Sequence, residues 1–280
     1  MSGTVTFSDG TNNAVLTTPR FGYKSSLFFP FDIQELDDNT IDIYDHGSSY
    51  DKRICDCTFE LTQAEMETLC ALVRTDAKGR AKKLTMTLSS GSGFFPFMPD
   101  KGDADVFTVS LEITAQKQVE EPQYYHTAEV HIINCGTWPS YSIPTEVKDG
   151  NSQFQIGTVQ YLRFPPNWFD PSVRYNYHAQ IMEDSDVEFV DRGLGDYYAT
   201  NMILICNQTK AAKLIKYLTT VTVARANQFS IITDSNFFAF GNDKGGAATY
   251  QVKMNGDRID VVNDRYNSFR FSLPLIHING

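Results

Sequence analysis

Apolar and polar positions alternate along most of the chain, and in two places the alternation gives way to a helical period. FDIQELDDNTIDIYDHG (Phe31 to Gly47) sets apolar against polar residues on both sides of a polar corner, as two paired strands do. YHAQIMEDSDVEFVDRG (Tyr177 to Gly193) has the same form at a displacement of 146, which brings Gln34, Asp38, Asp45 and Gly47 onto Gln180, Asp184, Asp191 and Gly193. Next in the first copy, RICDCTFEL alternates like a strand, and the period changes at Thr62. Thr62 with Glu65 three residues later is a capping box, and Met66, Leu69, Cys70 and Val73 then form one apolar helical stripe. At a displacement of 145, Asn207 stands at the cap and Ala211, Leu214, Ile215 and Leu218 form the stripe. This cap role is also the economical account of the glycosylation-like triplet Asn207-Gln208-Thr209.

A strand follows each helix, KKLTMTLSS in one copy and NQFSIITDS in the other. Then comes FFPFMPDKG (Phe94 to Gly102), echoed 143 residues later by FFAFGNDKG (Phe237 to Gly245) with six of nine positions identical. Ordered agreement at 146, 145 and 143 predicts a duplicated unit of strand, strand, capped helix, strand, Phe-rich turn and strand. DVFTVSLEITA is expected to close the first unit. A longer hairpin, TYQVKMNGDRIDVVNDRYNSFRFSLPLIHI, is expected to close the second, with Asn255-Gly256 as its positive-φ turn. One short helix cannot cover both faces of a sheet, so the expected fold is mainly β with one helix per unit, the strands packing as a sandwich or small barrel. The units are placed at residues 1–118 and 166–280. A β-rich connecting insertion at 119–165 is too apolar for a floppy linker.

Composition narrows the function classes. A chain of 280 residues, 41% apolar and 21% charged, can bury a substantial core and is more comfortable as two domains than as one. No stretch has the ~20 unbroken apolar residues of a membrane span, and MSGTVTFSDGTNNA lacks the basic and apolar regions of a signal peptide, so folding in a cytoplasm is expected. A net charge of −10 argues against gripping nucleic acid by its phosphates, although an acidic surface could still face DNA without holding it. Five cysteines at irregular spacing, with Cys55 and Cys57 on one side of a strand, read as reduced core thiols.

No set of residues in the sequence looks like an active site. The acidic pairs Asp37-Asp38 and Glu120-Glu121 read as solvated corners. His126, His131, Glu129 and Cys135 match no zinc spacing, and no nucleophile elbow, phosphate loop or dinucleotide fingerprint is present. No enzyme, metal or cofactor is therefore expected. The Phe-rich turns are the features that need another explanation. Phe94, Phe95, Phe97, Phe237, Phe238 and Phe240 either fold onto the core of a hairpin end or form an apolar contact surface for a neighbouring subunit, since aromatics are enriched in interface centres. Trp138, Tyr141 and Trp168 are candidate sugar platforms should the chain be a carbohydrate- or receptor-binding β-sandwich.

The order of elements resembles the tail-tube-like proteins of long-tailed bacteriophages, a family of tube, distal tail and baseplate hub proteins. The resemblance rests on IDIYDHGSSYDKRICDCTFELTQAEMETLCALVRT and VEFVDRGLGDYYATNMILICNQTKAAKLIKYLTT, each an Asp-x-Gly turn, a strand and a capped helix, and on VHIINCGTWPSYSIP, which looks like the Asn-x-Gly, Pro-containing strand of distal tail proteins. It implies two tandem tail-tube-like domains. It also implies a structural virion protein assembled in the host cytoplasm, closing as a homotrimer that imitates a hexamer around the channel for tape measure and DNA. Its partners would be copies of itself and the tube, hub and tape-measure proteins, with DNA only passing through. The connecting insertion favours a tail-tip ring over the repeating tube.

Overall fold

The computed structural model describes residues 3–28, 31–35, 41–45, 52–77, 81–97, 105–119, 125–136, 154–156, 160–162, 169–174, 177–181, 187–191, 197–220, 228–233, 249–256, 258–265 and 267–277. Among them the fold is mainly β with two helices, and a single antiparallel sheet of fifteen strands runs through both halves.

In the N-terminal half the strands are β1 (Thr4–Ser8), β2 (Asn13–Thr17), β3 (Lys24–Phe28), β4 (Phe31–Glu35), β5 (Ile41–Asp45), β6 (Lys52–Leu61), β7 (Leu84–Leu88), β8 (Val106–Val119) and β9 (Tyr125–Asn134). Their order in the sheet is β3-β6-β9-β8-β7-β1-β2, while β4 and β5 pair as a separate hairpin. The C-terminal half has β10 (Phe154–Ile156), β11 (Gln160–Leu162), β12 (Phe169–Arg174), β13 (Tyr177–Ile181), β14 (Val187–Asp191), β15 (Tyr197–Cys206), β16 (Phe229–Thr233), β17 (Thr249–Met254), β18 (Arg258–Arg265) and β19 (Ser268–His277). From β12 the order is β15, β19, then β17 and β18 end to end along one side of β19, and from β17 on to β16, β10 and β11.

The ladders of the two halves correspond pair by pair. Lys24 opposite Asp56 has its counterpart in Asp170 opposite Asn201, and Cys55 opposite Ile132 in Thr200 opposite Leu275. Val109 opposite Asn134 answers to Val252 opposite His277, and Leu84 opposite Val109 to Phe229 opposite Val252. The hairpin pair Phe31 and Asp45 answers to Tyr177 and Asp191. These offsets, 143 to 146, are those of the sequence echo. The correspondence extends, with an offset of 149 on one strand and 145 on the other, to β1 and β10, where Val5 opposite Leu88 answers to Phe154 opposite Thr233.

Alternation fixes which face of each strand is buried. On β6, Cys55, Cys57, Phe59 and Leu61 point to the core while Asp56 and Thr58 point away. Helix α1 (Gln63–Ala71) starts at the expected capping box: Glu65 N donates to Thr62 Oγ1 at 3.3 Å, and Thr62 N donates to Glu65 Oε2 at 2.8 Å. It continues as a π-helical turn over Leu72–Asp76, and Met66, Leu69 and Val73 of the stripe are buried. Helix α2 (Gln208–Thr220) is capped by Asn207 Oδ1, which accepts from Lys210 N at 3.0 Å. All four stripe residues, Ala211, Leu214, Ile215 and Leu218, are fully buried.

Two expectations differ from the structure. Asn255-Gly256 is not a hairpin turn, because β17 and β18 do not pair with each other; both lie along β19, and Asn255 N donates to Pro274 O at 2.8 Å. The reversal comes between β18 and β19, where Asn267 takes φ 55°. Its side-chain amide serves the helix as well: Asn267 Oδ1 accepts from Gln208 N at 2.8 Å. The first half also closes with a hairpin. β9, from the stretch assigned to the connector, pairs along β6 and β8.

Candidate assembly surface

The halves meet where β3 pairs with β18, with Lys24 opposite Val262, Ser26 opposite Asp260 and Phe28 opposite Arg258. The buried residues form two clusters, and β3 lies between them. Tyr23, just before it, belongs to the N-terminal core, whereas Leu27 packs into the C-terminal one with Ile259 and Val261. Gly22, at φ 99°, turns the chain so that its N–H reaches Asn263 O at 2.6 Å, while Asn263 N donates to Tyr23 O at 3.1 Å. The ladder is thereby fastened beyond the last regular residue of β3.

On the face away from the cores, one carboxylate collects three donors. Asp260 accepts from Ser26 Oγ at 2.7 Å, pairs with Lys24 Nζ at 2.9 Å and with Arg258 Nε at 3.1 Å, and the Arg258 guanidinium lies 5.6 Å from the Phe28 ring centre. Two of the three donors, Lys24 and Ser26, come from β3, across the junction from Asp260, so the cluster ties one half to the other. Charge-assisted bonds of this kind are stronger than neutral ones, although partial exposure of Lys24 and Arg258 reduces their worth here.

The first Phe-rich turn is the apolar side of the same junction. Phe94 and Phe97 are buried in the N-terminal core, Phe94 against Tyr23 and Phe59 and Phe97 against Phe107. Phe95 between them points the other way and packs against Phe269 of the C-terminal core. Its backbone is held in place: Phe95 N donates to Tyr23 Oη at 3.0 Å, and Ser25 Oγ donates to Pro96 O at 3.1 Å. Burial pushes the Tyr23 phenol well up, so it stays a neutral partner in that contact. Phe237, Phe238 and Phe240, and the candidate platform residues Trp138, Tyr141 and Trp168, lie outside the described residues.

The remaining candidates for chemistry do not converge. His131 Nδ1 is 2.6 Å from Asp56 Oδ1 on the exposed face of the sheet, and Arg20 pairs with Glu60 at 2.7 Å. Asp56 and Arg20, one member of each pair, border an open recess of about 460 Å³ whose wall also includes Phe21, Lys24 and Glu129. Among the described residues no group of three or more His, Cys, Asp or Glu side chains is placed to hold a metal, and no helix is long and apolar enough to cross a membrane. All five cysteines are free thiols. The chain matches no family model and no curated protein.

The β3–β18 junction joins two similar strand sets edge to edge through a backbone ladder, a charged cluster on one face and an aromatic contact on the other. Sequence reasoning singled out the Phe-rich turn but not Asp260, Ser26 or Lys24. The one available signal was their placement on alternating strands that have a polar face with nothing assigned to cover it.

Proposed function

We propose that this chain is a non-enzymatic structural protein of a bacteriophage tail, forming a ring at the tail tip or in the tube around the channel for tape measure and DNA. The two strand sets are then tandem tail-tube-like domains, and three chains supply six such domains in a pseudo-hexameric ring. Its partners are copies of itself and the neighbouring tube, hub and tape-measure proteins. The β3–β18 junction carries the reading: a head-to-tail contact between two congruent units is already made inside one chain. A contact that repeats at a fixed rotation closes into a ring. The net charge of −10 suits a channel through which DNA slides, because like charges keep the duplex from adhering.

Light scattering and negative-stain imaging of the purified protein test this reading. A species of three chain masses that images as a ring with a central opening is the expected result. A particle reconstruction that placed the protein in a peripheral spike, away from any channel, would overturn it.

A further inference from the structure

Among the described residues, the junction inside the chain has an unfilled counterpart on each side. β3 is flanked by β6 and β18, whereas its equivalent β12 is flanked by β15 and, among the described residues, has no strand on its other edge. β18 is flanked by β19 and β3. Its equivalent is the second part of β8, since Asp260 opposite Ser272 answers to Ala115 opposite Glu129, and Val262 opposite Arg270 to Lys117 opposite Thr127. That part of β8 pairs with β9 on one edge, and β7 covers the other edge only as far as Val109. Residues Thr114 to Gln118 are exposed. One chain thus carries both complementary halves of the contact it makes internally.

The geometry points to a second copy of this chain as the occupant: the free edge of β12 in one copy takes the second part of β8 from the next, in the register of β3 with β18. This inference rests on the ring reading above and specifies its interface. Transferring the internal register sets Lys117 opposite Asp170, Gln116 opposite Pro171 and Ala115 opposite Ser172. The charges agree with that assignment. Inside the chain the receiving strand offers Lys24 and the entering strand Asp260; between chains the receiving strand offers Asp170 and the entering strand Lys117. Exchanging the partners would set Lys117 directly opposite Lys24, and like charges at facing positions destabilise a ladder; Asp260 would then face Ser172 and meet Asp170 on the diagonal. The reversal of sign therefore favours the right pairing and opposes the wrong one.

Pro171 sets a limit on the ladder. Tyr23 turns its carbonyl to Asn263 of β18, so by alternation Ser25 turns its backbone groups the same way, and Pro171 stands at the position of Ser25. The contact between chains consequently has one N–H donor fewer than the internal one. Proline is tolerated at a sheet edge, and there it also discourages indiscriminate pairing.

Ala115→Cys and Ser172→Cys, made separately in the full chain and mixed under mild oxidation, test the register. By the same alternation the two positions form a pair without ladder hydrogen bonds, about 4.5 Å apart at Cα, within reach of a disulfide. The expected product is a covalent dimer whose linked peptides contain residues 115 and 172, formed in the mixture and lost when either variant is mixed with the unsubstituted chain. Lys117→Glu in the entering copy should abolish the product, and Asp170→Lys in the receiving copy should restore it. Rings in the electron microscope without this cross-link would overturn the interface and leave the ring reading standing. The cross-link in open chains without rings would uphold the interface and overturn closure. Absence of both would overturn the two together.

Discussion

The Phe95 ring meets the Phe269 ring edge to face, with centroids 5.6 Å apart and planes at 75°. Phe95 belongs to the turn after β7, and Phe269 to the core beneath α2, so this contact joins the two clusters of buried side chains. Aromatic pairs in this geometry contribute beyond their buried area. Phe95→Ala should cost about 1 to 3 kcal/mol, less than a fully buried ring because Phe95 keeps some exposure. Phe94→Ala, which empties a site inside the N-terminal core, should cost about 3 to 5 kcal/mol. Urea unfolding of both variants measures the difference. Equal midpoints for Phe95→Ala and the unsubstituted chain would show that this ring does not hold the halves together.

The helix stripes make a paired prediction. Leu69 and Leu214 are both fully buried at corresponding places in the two halves. Leu69→Ala and Leu214→Ala should each destabilise by about 2 to 5 kcal/mol through lost burial and the cavity left behind. Calorimetry of the two variants checks this, and an unaltered transition in either would contradict the burial of its helix.

Asp260→Asn should cost about 1 kcal/mol at low salt, since it weakens the bonds to Lys24 and Arg258 while keeping a polar partner for Ser26. Because those cations are partly exposed, the loss should shrink in ~1 M salt, where screening acts over a few ångströms. A loss of equal size at both salt concentrations would mean that shape rather than charge is responsible.

Alkaline conditions should weaken the N-terminal core. Burial, reinforced by the adjacent Cys57 thiol, pushes the Cys55 thiol well above its ordinary 9.0, and burial pushes the Tyr23 phenol above its ordinary 10.0. Well below pH 9 both groups are protonated whether the chain is folded or not. As pH rises through 9 and then 10 the unfolded chain releases protons that the folded chain retains, so stability falls, at up to ~1.4 kcal/mol per pH unit for each group. Cys55→Ala should lower stability at neutral pH and flatten the alkaline decline. Denaturation midpoints followed from about pH 8 to pH 10.5 give the two slopes, and parallel slopes would rule out the thiol as a cause.

Much of the fold was legible because its signals are local. A capping box needs two side chains three residues apart, and a buried stripe needs a period, so Thr62, Asn207 and the residues behind them announced both helices. The echo at 143 to 146 residues foreshadowed the matching ladders for the same reason: equal patterns bury equal faces. Asn255-Gly256 misled because a turn-forming pair also serves to interrupt a strand. Which use it has depends on whether β17 and β18 face each other or share β19 as a neighbour. β9 fell to the connector in the sequence reading because alternation does not say which strands lie on either side.

The sequence by itself determined which residues turn inward, where two helices begin and that one pattern occurs twice. Tertiary structure decided that β3 takes β18 as its second neighbour, that Phe95 crosses to the other core, and that Asp260, beside Arg258 of its own strand, gathers Ser26 and Lys24 from across the junction. The physical reason is that periodicity records the burial of a face, whereas a strand edge offers the same N–H and C=O groups to any partner. The choice among partners separated by more than two hundred residues is made by the register, packing and charges that come together only when the sheet assembles.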